Sequence, residues 1–292
     1  MKNTSVLLLG GGGYVASAYK RFFFGQSIPF YSLSRQEVDY TIPGQLAAFL
    51  KNSAFDFVIN AAGYTGKPNV DACEMHKAEC LAGNAVLPGV VREACEENNI
   101  PWGHVSSGCI YSGARPDGAG FKEEDTPNFC FRSNNCSFYS GTKGLGEEVL
   151  EGAVNCYIWR LRIPFDEFNG PRNYLSKLMQ YDTLLNVQNS ISHLGEFVQA
   201  TWESWKKHIP FGIYNVTNPG SITAKEITEI MKETKVCVKD FRFFTDEDEF
   251  MQKAAKTPRS NCILDSSKIM GYGIPLTEVN EVVMKTLLNW KN

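Results

Sequence analysis

Tyr139 and Lys143 stand four residues apart in Tyr139-Ser140-Gly141-Thr142-Lys143. On a helix that spacing puts both side chains on one face. A phenol titrates at about 10, so it exchanges protons poorly at neutral pH unless a neighbouring ammonium stabilises its anion. Ser107 ends the run WGHVSS (102–107), upstream of the pair, where its hydroxyl could donate a hydrogen bond to a substrate carbonyl. A tyrosine that moves a proton, a lysine that tunes it and a serine that polarises a carbonyl suit chemistry at a ketone or alcohol.

A second constellation lies near the N-terminus. Gly10-Gly11-Gly12-Gly13-Tyr14-Val15-Ala16 reads Gly-x-x-Gly-x-x-Ala directly after the apolar run SVLLLG (5–10). Gly10 permits a tight turn, Gly13 lets a pyrophosphate approach the backbone at a helix N-terminus, and Ala16 lets that helix pack against the strand. The place where an acidic residue would hold the ribose of NAD reads Ser32-Leu33-Ser34-Arg35 instead. A hydroxyl and a planar guanidinium suit a 2′-phosphate, so NADP is the expected dinucleotide, with a solvated surface arginine as the alternative for Arg35.

These residues need elements to position them. Apolar runs at 5–10, 28–33, 55–63, 102–107 and 156–164 alternate with helical stretches at about 13–25, 76–99 and 139–152. That rhythm predicts an α/β fold: a Rossmann-type doubly wound parallel sheet covered on both faces. After Pro164 the rhythm changes, with helical stretches near 172–181, 193–208, 223–233 and 276–290. The expected division is an NADP-binding Rossmann domain over 1–164 and a smaller, mainly substrate-binding lobe over 165–292. A segment at about 183–217 is expected to return to the first domain. With 292 residues the chain is long enough for two such units, at roughly 150 residues each.

Composition narrows the field. At 43% hydrophobic and 21% charged residues the chain is ordinary for a folded protein, and its net charge of -3 argues against nucleic-acid binding. No apolar run is long enough to cross a membrane and none has the layout of a signal peptide, so a cytoplasmic location is expected. The nine cysteines then read as free thiols, and the sequons at Asn3, Asn135 and Asn215 as chance matches. Cys73, His76 and Cys80 lack a matching fourth ligand and are not expected to hold a metal. Glu123, Glu124 and Asp125 read as a solvated loop, and Phe22, Phe23 and Phe24 as core packing.

Gly10, Gly13, Ala16, Asn60-Ala61-Ala62-Gly63, Ser107, Tyr139 and Lys143 together resemble the extended short-chain dehydrogenase/reductases. In that family Ser, Tyr and Lys form the catalytic triad, and the strand-ending Asn-Ala-Ala-Gly lies along the cofactor. Longer runs are closer still to the plant-type nucleotide-rhamnose synthase/epimerase-reductases: AAGYTGKPNVD (61–71), GFKEEDTPNF (120–129), NGPRN (169–173), YNVTNPG (214–220) and PRSN (258–261). The resemblance spans nearly the whole chain, with departures at Asn169-Gly170 and near 132–136. It implies conversion of UDP-4-keto-6-deoxy-glucose to UDP-L-rhamnose with NADPH, by inversion at C3 and C5 and reduction at C4. It further implies that Tyr14, Val15, Ser34, Arg35, Ile163, Tyr139 and Lys143 line the cofactor. The keto-sugar would come from a separate dehydratase, and a homodimer is compatible with this reading. The alternatives are a reductase acting on dTDP-4-keto-rhamnose, a GDP-fucose-synthase-like epimerase/reductase and a non-catalytic NADP-binding regulatory subunit. Intact Ser107, Tyr139 and Lys143 argue against the last.

Epimerisation asks for more than the triad. A C4 ketone acidifies the hydrogens on C3 and C5, and inversion needs proton-moving groups on opposite faces of the ring. Cys109 lies two residues past Ser107, and in a strand the two would point the same way. Nearby cations would favour its thiolate. Lys177 lies in the second lobe, and partial burial would bring its amine nearer neutrality. The rhamnose-forming relatives place Cys and Lys at these matching positions, whereas GDP-fucose synthases pair the Cys with a His. Which is acid and which is base stays open. Arg259 suits the UDP pyrophosphate as a bidentate donor. Thr65, Asn84 and Asn173 are substrate-side candidates, with structural hydrogen bonding as the alternative.

Overall fold

The computed structural model describes residues 5–67 and 69–291; the Asn3 sequon and Pro68 lie outside them. The first half alternates strand and helix: β1 (Val6–Leu9), α1 (Tyr14–Gly25), β2 (Phe30–Leu33), α2 (Gln45–Lys51), β3 (Phe57–Asn60), α3 (Lys77–Leu81), α4 (Leu87–Glu97), β4 (Trp102–Ser107), α5 (Phe138–Val149) and β5 (Cys156–Leu161). Then come β6 (Pro164–Phe165), α6 (Tyr174–Gln180), β7 (Thr183–Leu184), β8 (Ser192–His193), α7 (Leu194–Lys206) and β9 (Gly212–Asn215). The chain finishes with α8 (Ala224–Glu233), β10 (Arg242–Phe243), α9 (Glu247–Lys253), α10 (Ser267–Met270) and α11 (Val279–Leu288).

Six strands form one parallel sheet in the order β2-β1-β3-β4-β5-β9. Successive side chains in a strand point to opposite faces, so a strand buried on both sides must be apolar throughout. In β1, Val6 and Leu8 join α1 and α7 through Tyr19, Phe23, Phe197 and Val198. Leu7 and Leu9 face the other way, onto Leu46 and Leu50 of α2 and Val91 of α4. Each such side chain contributes about 1.5–3 kcal/mol by leaving water, enough to hold helices this short in place. Gly103 in β4 is required by packing, since a Cβ there would stand 2.0 Å from the Trp159 ring. The switch point, where crossovers leave the sheet in opposite directions, falls between β1 and β3; ligands of such sheets bind at that edge.

A third core, including Phe165, Leu175, Ile191, Ile227, Met231 and Val283, belongs to the second lobe. The return to the sheet differs from the sequence expectation at its start. Thr183–Leu184 pairs with Arg242–Phe243 inside the second lobe, and it is α7 and β9 that rejoin the first. Among the three phenylalanines, Phe23 is buried and Phe22 packs on the core, but Phe24 is 84% exposed, because consecutive helix positions point about 100° apart. No helix among the described residues is long and apolar enough to cross a membrane.

Candidate active site

The glycine loop joins β1 to α1 as its spacing requires. Gly10 has φ +78°, and a Cβ there would fall 2.5 Å from the Ala62 backbone nitrogen, so only glycine lets β1 and β3 end side by side. Gly13 caps α1 without a side-chain hydrogen bond, and the first turn carries no acidic residue. The free amides at that end are therefore open to an anion. Asn60, fully buried, accepts from the Ala62 amide at 3.1 Å and meets His104 Nδ1 at 3.1 Å, which shapes the Ala61–Gly63 turn beside the loop. These features fit a dinucleotide pyrophosphate. Val15 packs into the core below them. A cavity of about 320 Å³ opens here between Gly12, Gly13, Tyr14 and Arg21 on one side and the 166–172 segment on the other.

Ser34 and Arg35 are exposed at the end of β2. Ser34 is not free of carboxylate, as the local sequence suggested: Glu37 folds back to accept from the Ser34 amide at 3.0 Å and from Tyr31, and these bonds hold its pKa below the usual value. Arg35 is an exposed cation beside Ser34, and Lys20 Nζ lies near Gly11 and Ser32 at the same edge.

The catalytic candidates gather where β4 ends. Ser137 caps α5 by accepting from the Ser140 amide, and Glu74 accepts from the Phe138 amide at 2.7 Å, which fixes the helix carrying Tyr139 and Lys143. Gly146 allows α5 to lie against Asn84, where a Cβ would stand 2.2 Å from the backbone oxygen. Lys143 is buried and donates to the Val105 carbonyl at 3.3 Å. Burial lowers its pKa, against the opposing influence of Cys109, Glu147 and Cys80. Burial pushes the Tyr139 phenol well above its ordinary value, Cys109 adds to this, and the Ser107 hydroxyl works the other way. The phenol is thus not made more acidic, as the Tyr–Lys spacing suggested. A phenol that keeps its proton suits the direction in which tyrosine is the acid.

Cys109 reaches the same region by a different route from the one expected. The chain leaves β4 at Ser107 and forms a 3₁₀ turn over Gly108–Ile110, with the Cys109 amide donating to Ser107 Oγ at 3.3 Å. Burial raises the Cys109 thiol despite Ser107, Lys143, Arg162 and Ser140, which all favour its anion. The nearby cations are there, but desolvation outweighs them. Lys177, half-buried one turn into α6, has its pKa lowered by burial and then by Arg172.

Several other candidates turn out to hold the chain together. Asn84 exchanges hydrogen bonds with the Tyr64 backbone in both directions, at 2.9 and 2.8 Å, and Asn173 caps α6 while donating to Asp166 and Phe168. Neither amide is left for a sugar. Arg259 is held bidentate by Asp71 at 2.7 and 2.8 Å rather than presented to a pyrophosphate. Thr65 is exposed and accepts from Arg172 at 3.1 Å, and Arg172 also donates to the Gly66 carbonyl. The second lobe thereby holds the chain at Thr65 and Gly66 and again at Asp71. Ile163, between the sheet and the lobe, has φ +38°, a costly conformation for a branched side chain.

Three features were not expected from sequence. Glu123 is 8% exposed rather than solvated: its carboxylate accepts from the Asn215 amide at 2.8 Å, and burial raises its pKa. Asn215, in the last sequon, is itself buried and donates to Phe121 and Asp265. Asp166 ties the lobes together, accepting from Tyr14 at 2.8 Å, Arg21 at 2.6 Å and Asn173 at 3.1 Å.

Comparison with known proteins agrees with this geometry. A family model described as the RmlD substrate binding domain matches residues 4–291. A bifunctional dTDP-4-dehydrorhamnose 3,5-epimerase/dTDP-4-dehydrorhamnose reductase of Arabidopsis thaliana is 32% identical over 285 residues, covering 96% of this chain and 91% of the relative. A trifunctional UDP-glucose 4,6-dehydratase/UDP-4-keto-6-deoxy-D-glucose 3,5-epimerase/UDP-4-keto-L-rhamnose-reductase of the same plant is 34% identical over 92% of this chain. The chain spans only 40% of that relative's length. In fold, the L780 UDP-rhamnose synthase of Acanthamoeba polyphaga mimivirus matches with a TM-score of 0.89 at 21% identity, over 98% of this chain and 99% of that one. A dTDP-4-dehydrorhamnose reductase of Bacillus anthracis, solved with NADP, matches with a TM-score of 0.82 at 16% identity, over 98% of each chain. By its near-complete match to the family model and by relatives above 30% identity along its length, the chain belongs to the RmlD substrate-binding-domain family.

Proposed function

We propose that the chain is an NADPH-dependent 3,5-epimerase/4-reductase that converts UDP-4-keto-6-deoxy-glucose to UDP-L-rhamnose. The observation that carries this reading is Cys109, set in the turn directly after Ser107 and within electrostatic reach of Tyr139 and Lys143. A simple reductase needs the serine, tyrosine and lysine; it has no use for a sulfur there. The plant relatives named as epimerase and reductase support the pairing of the two activities.

In this reading Ser107 and Tyr139 hold the ketone oxygen at C4. Their hydrogen bonds stabilise the enolate that forms when a proton leaves C3 or C5. Cys109 and Lys177 remove and return those protons from opposite faces, which inverts each carbon. The glycine loop would hold NADPH, with Arg35 on the side of its 2′-phosphate, and the cofactor would supply the hydride for C4. Tyr139 then gives its retained proton to O4, and Lys143, one turn along the same face, favours the phenolate left behind.

The identity of the base has a specific rival, since the relative that this chain covers almost end to end is named for dTDP sugars. Incubation with NADPH and either UDP- or dTDP-4-keto-6-deoxy-glucose, with product stereochemistry read by NMR, separates the readings. The expected product is the L-rhamnose configuration, formed faster from the UDP sugar. Reduction at C4 without inversion would overturn the epimerase half.

A further inference from the structure

Arg162 carries a charge that nothing so far explains. It lies one residue past β5 and is 3% exposed. Its Nη1 donates to Ser260 Oγ at 3.0 Å, and its Nη2 to Asn189 Oδ1 and the Ser260 carbonyl. All three acceptors are neutral, and Nε has no partner. Among the described residues no carboxylate pairs with Arg162. Arg160, two residues earlier and equally buried, shows what a neutralised arginine looks like in this strand: Glu147 grips it at 2.8 and 3.1 Å. Burying a guanidinium without a counter-charge is costly, so its retention points to a role.

The stem of Arg162 lies beneath the turn that bears Cys109. A Cβ on Gly108 would stand 3.4 Å from Arg162 Cδ. The backbone is held from both sides, by the Arg162 amide donating to Ser192 Oγ at 3.1 Å and by the left-handed Ile163 that follows. The other groups that act on the Cys109 sulfur, or feel it, are Lys143, Tyr139 and Ser140 on α5, Ser107 at the end of β4, and the Cys73, Cys136 and Cys262 thiols. Of the two cations, Lys143 is the one whose charge burial weakens.

We propose that Arg162 is a positioning residue for the carbon-acid step, a fixed and unneutralised positive charge under the Gly108–Ile110 turn that makes the anionic form of the Cys109 sulfur attainable in a dry site. This rests on the role given to Cys109 above. When the thiolate takes a proton from carbon, the C–H electron pair passes into the enolate and the sulfur is left as a thiol; when the thiol gives a proton to the enolate, the sulfur is left as the anion. In either direction the sulfur passes through the charged state that Arg162 favours.

The test measures the sulfur directly. Alkylation of Cys109 by iodoacetamide is followed against pH, peptide by peptide, in the folded protein with NADPH, with the half-exposed Cys237 as internal control. Arg162→Met should move the Cys109 midpoint up by at least one pH unit, a tenfold lower thiolate fraction, and leave Cys237 unmoved. Arg162→Lys should restore most of it. Should Arg162→Met fail to fold, Asn189→Asp answers the same question, because it keeps the oxygen that Arg162 donates to and neutralises the charge in place; it should raise the midpoint as well. Both displaced variants should also exchange solvent deuterium into the keto-sugar at least tenfold more slowly, while still reducing an already inverted ketone. An unmoved Cys109 midpoint overturns the proposal, as does a moved midpoint with undiminished exchange. A wild-type protein that shows the thiol coupling but no exchange overturns the epimerase reading instead, and leaves Arg162 no carbon-acid step to serve.

Discussion

Asp166 is the residue whose removal should most clearly separate the two lobes. Its side chain is 2% exposed and receives Tyr14, Arg21 and Asn173. Asp166→Ala removes four bonds of unequal weight, the weakest being the long one from the Phe168 amide at 3.3 Å. The Tyr14 phenol loses a charged acceptor, which is worth about 1.5–3 kcal/mol. Arg21 is 43% exposed, so water screens its ion pair and the loss there is about 0.2–1 kcal/mol. Asn173 keeps the Asp166 and Phe168 carbonyls and loses little. The sum is about 2–4 kcal/mol, which for a protein of this size lowers the unfolding midpoint by roughly 3–7 °C. Asp166→Asn leaves one oxygen for Tyr14 and gives up the charge, so it should cost about 1 kcal/mol. Denaturant unfolding of the three proteins provides the energies, and NADPH titration should show weaker binding in Asp166→Ala because Tyr14 and Arg21 border the cavity at the glycine loop. Equal stability of Asp166→Ala and wild type would refute the reasoning, and equal losses in the two variants would refute the weight given to Tyr14.

Further outcomes follow from three particular residues. Arg35→Ala should weaken NADPH binding at least tenfold, about 1.4 kcal/mol, and leave NADH binding unchanged, as read by fluorescence titration; an equal loss for both would mean that Arg35 does not reach the 2′-phosphate. Tyr139→Phe should slow C4 reduction by about 10²–10⁴-fold. In the wild type, because the phenol's pKa lies well above its ordinary value, the acid form persists and the single-turnover reduction rate should stay flat from neutral pH to about 9; a rate falling through pH 8 would contradict this. Glu123 has a folded-state pKa above its unfolded one, so it binds its proton more tightly when folded, and its contribution to stability is lost as pH rises through the folded value. Glu123→Gln should therefore flatten the stability profile just above the ordinary carboxylate range, as measured by urea unfolding at several pH values; a profile parallel to wild type would contradict the assignment.

The parts legible in the sequence are those set by local pattern. β1, α1, β4 and α5 follow from apolar periodicity, and the glycine loop from the spacing of Gly10, Gly13 and Ala16. The parts that were not legible depend on contacts distant along the chain. Arg259 and Asp71 lie 188 residues apart, and no local rule tells a guanidinium waiting for phosphate from one already paired. Glu123 sits in a charged run that looks solvated until Asn215 folds over it. Strand alternation predicts that Ser107 and Cys109 share a site, but it is a 3₁₀ turn after the strand that brings them together. Desolvation also decides the signs at Tyr139 and Cys109, and burial depth cannot be read from the spacing of a Tyr and a Lys. Arg162 is part of an unremarkable strand ending in sequence, and only the neutrality of its partners reveals it.

The central claim is that one site both inverts and reduces. It is tested most directly by running the reaction in D₂O with unlabelled NADPH and UDP-4-keto-6-deoxy-glucose, and reading each ring position of the product by NMR. The account predicts the L-rhamnose configuration with deuterium at C3 and C5 and protium at C4, and loss of the C3 and C5 label in Cys109→Ala. A product carrying protium at all three carbons, with only C4 changed, would contradict it.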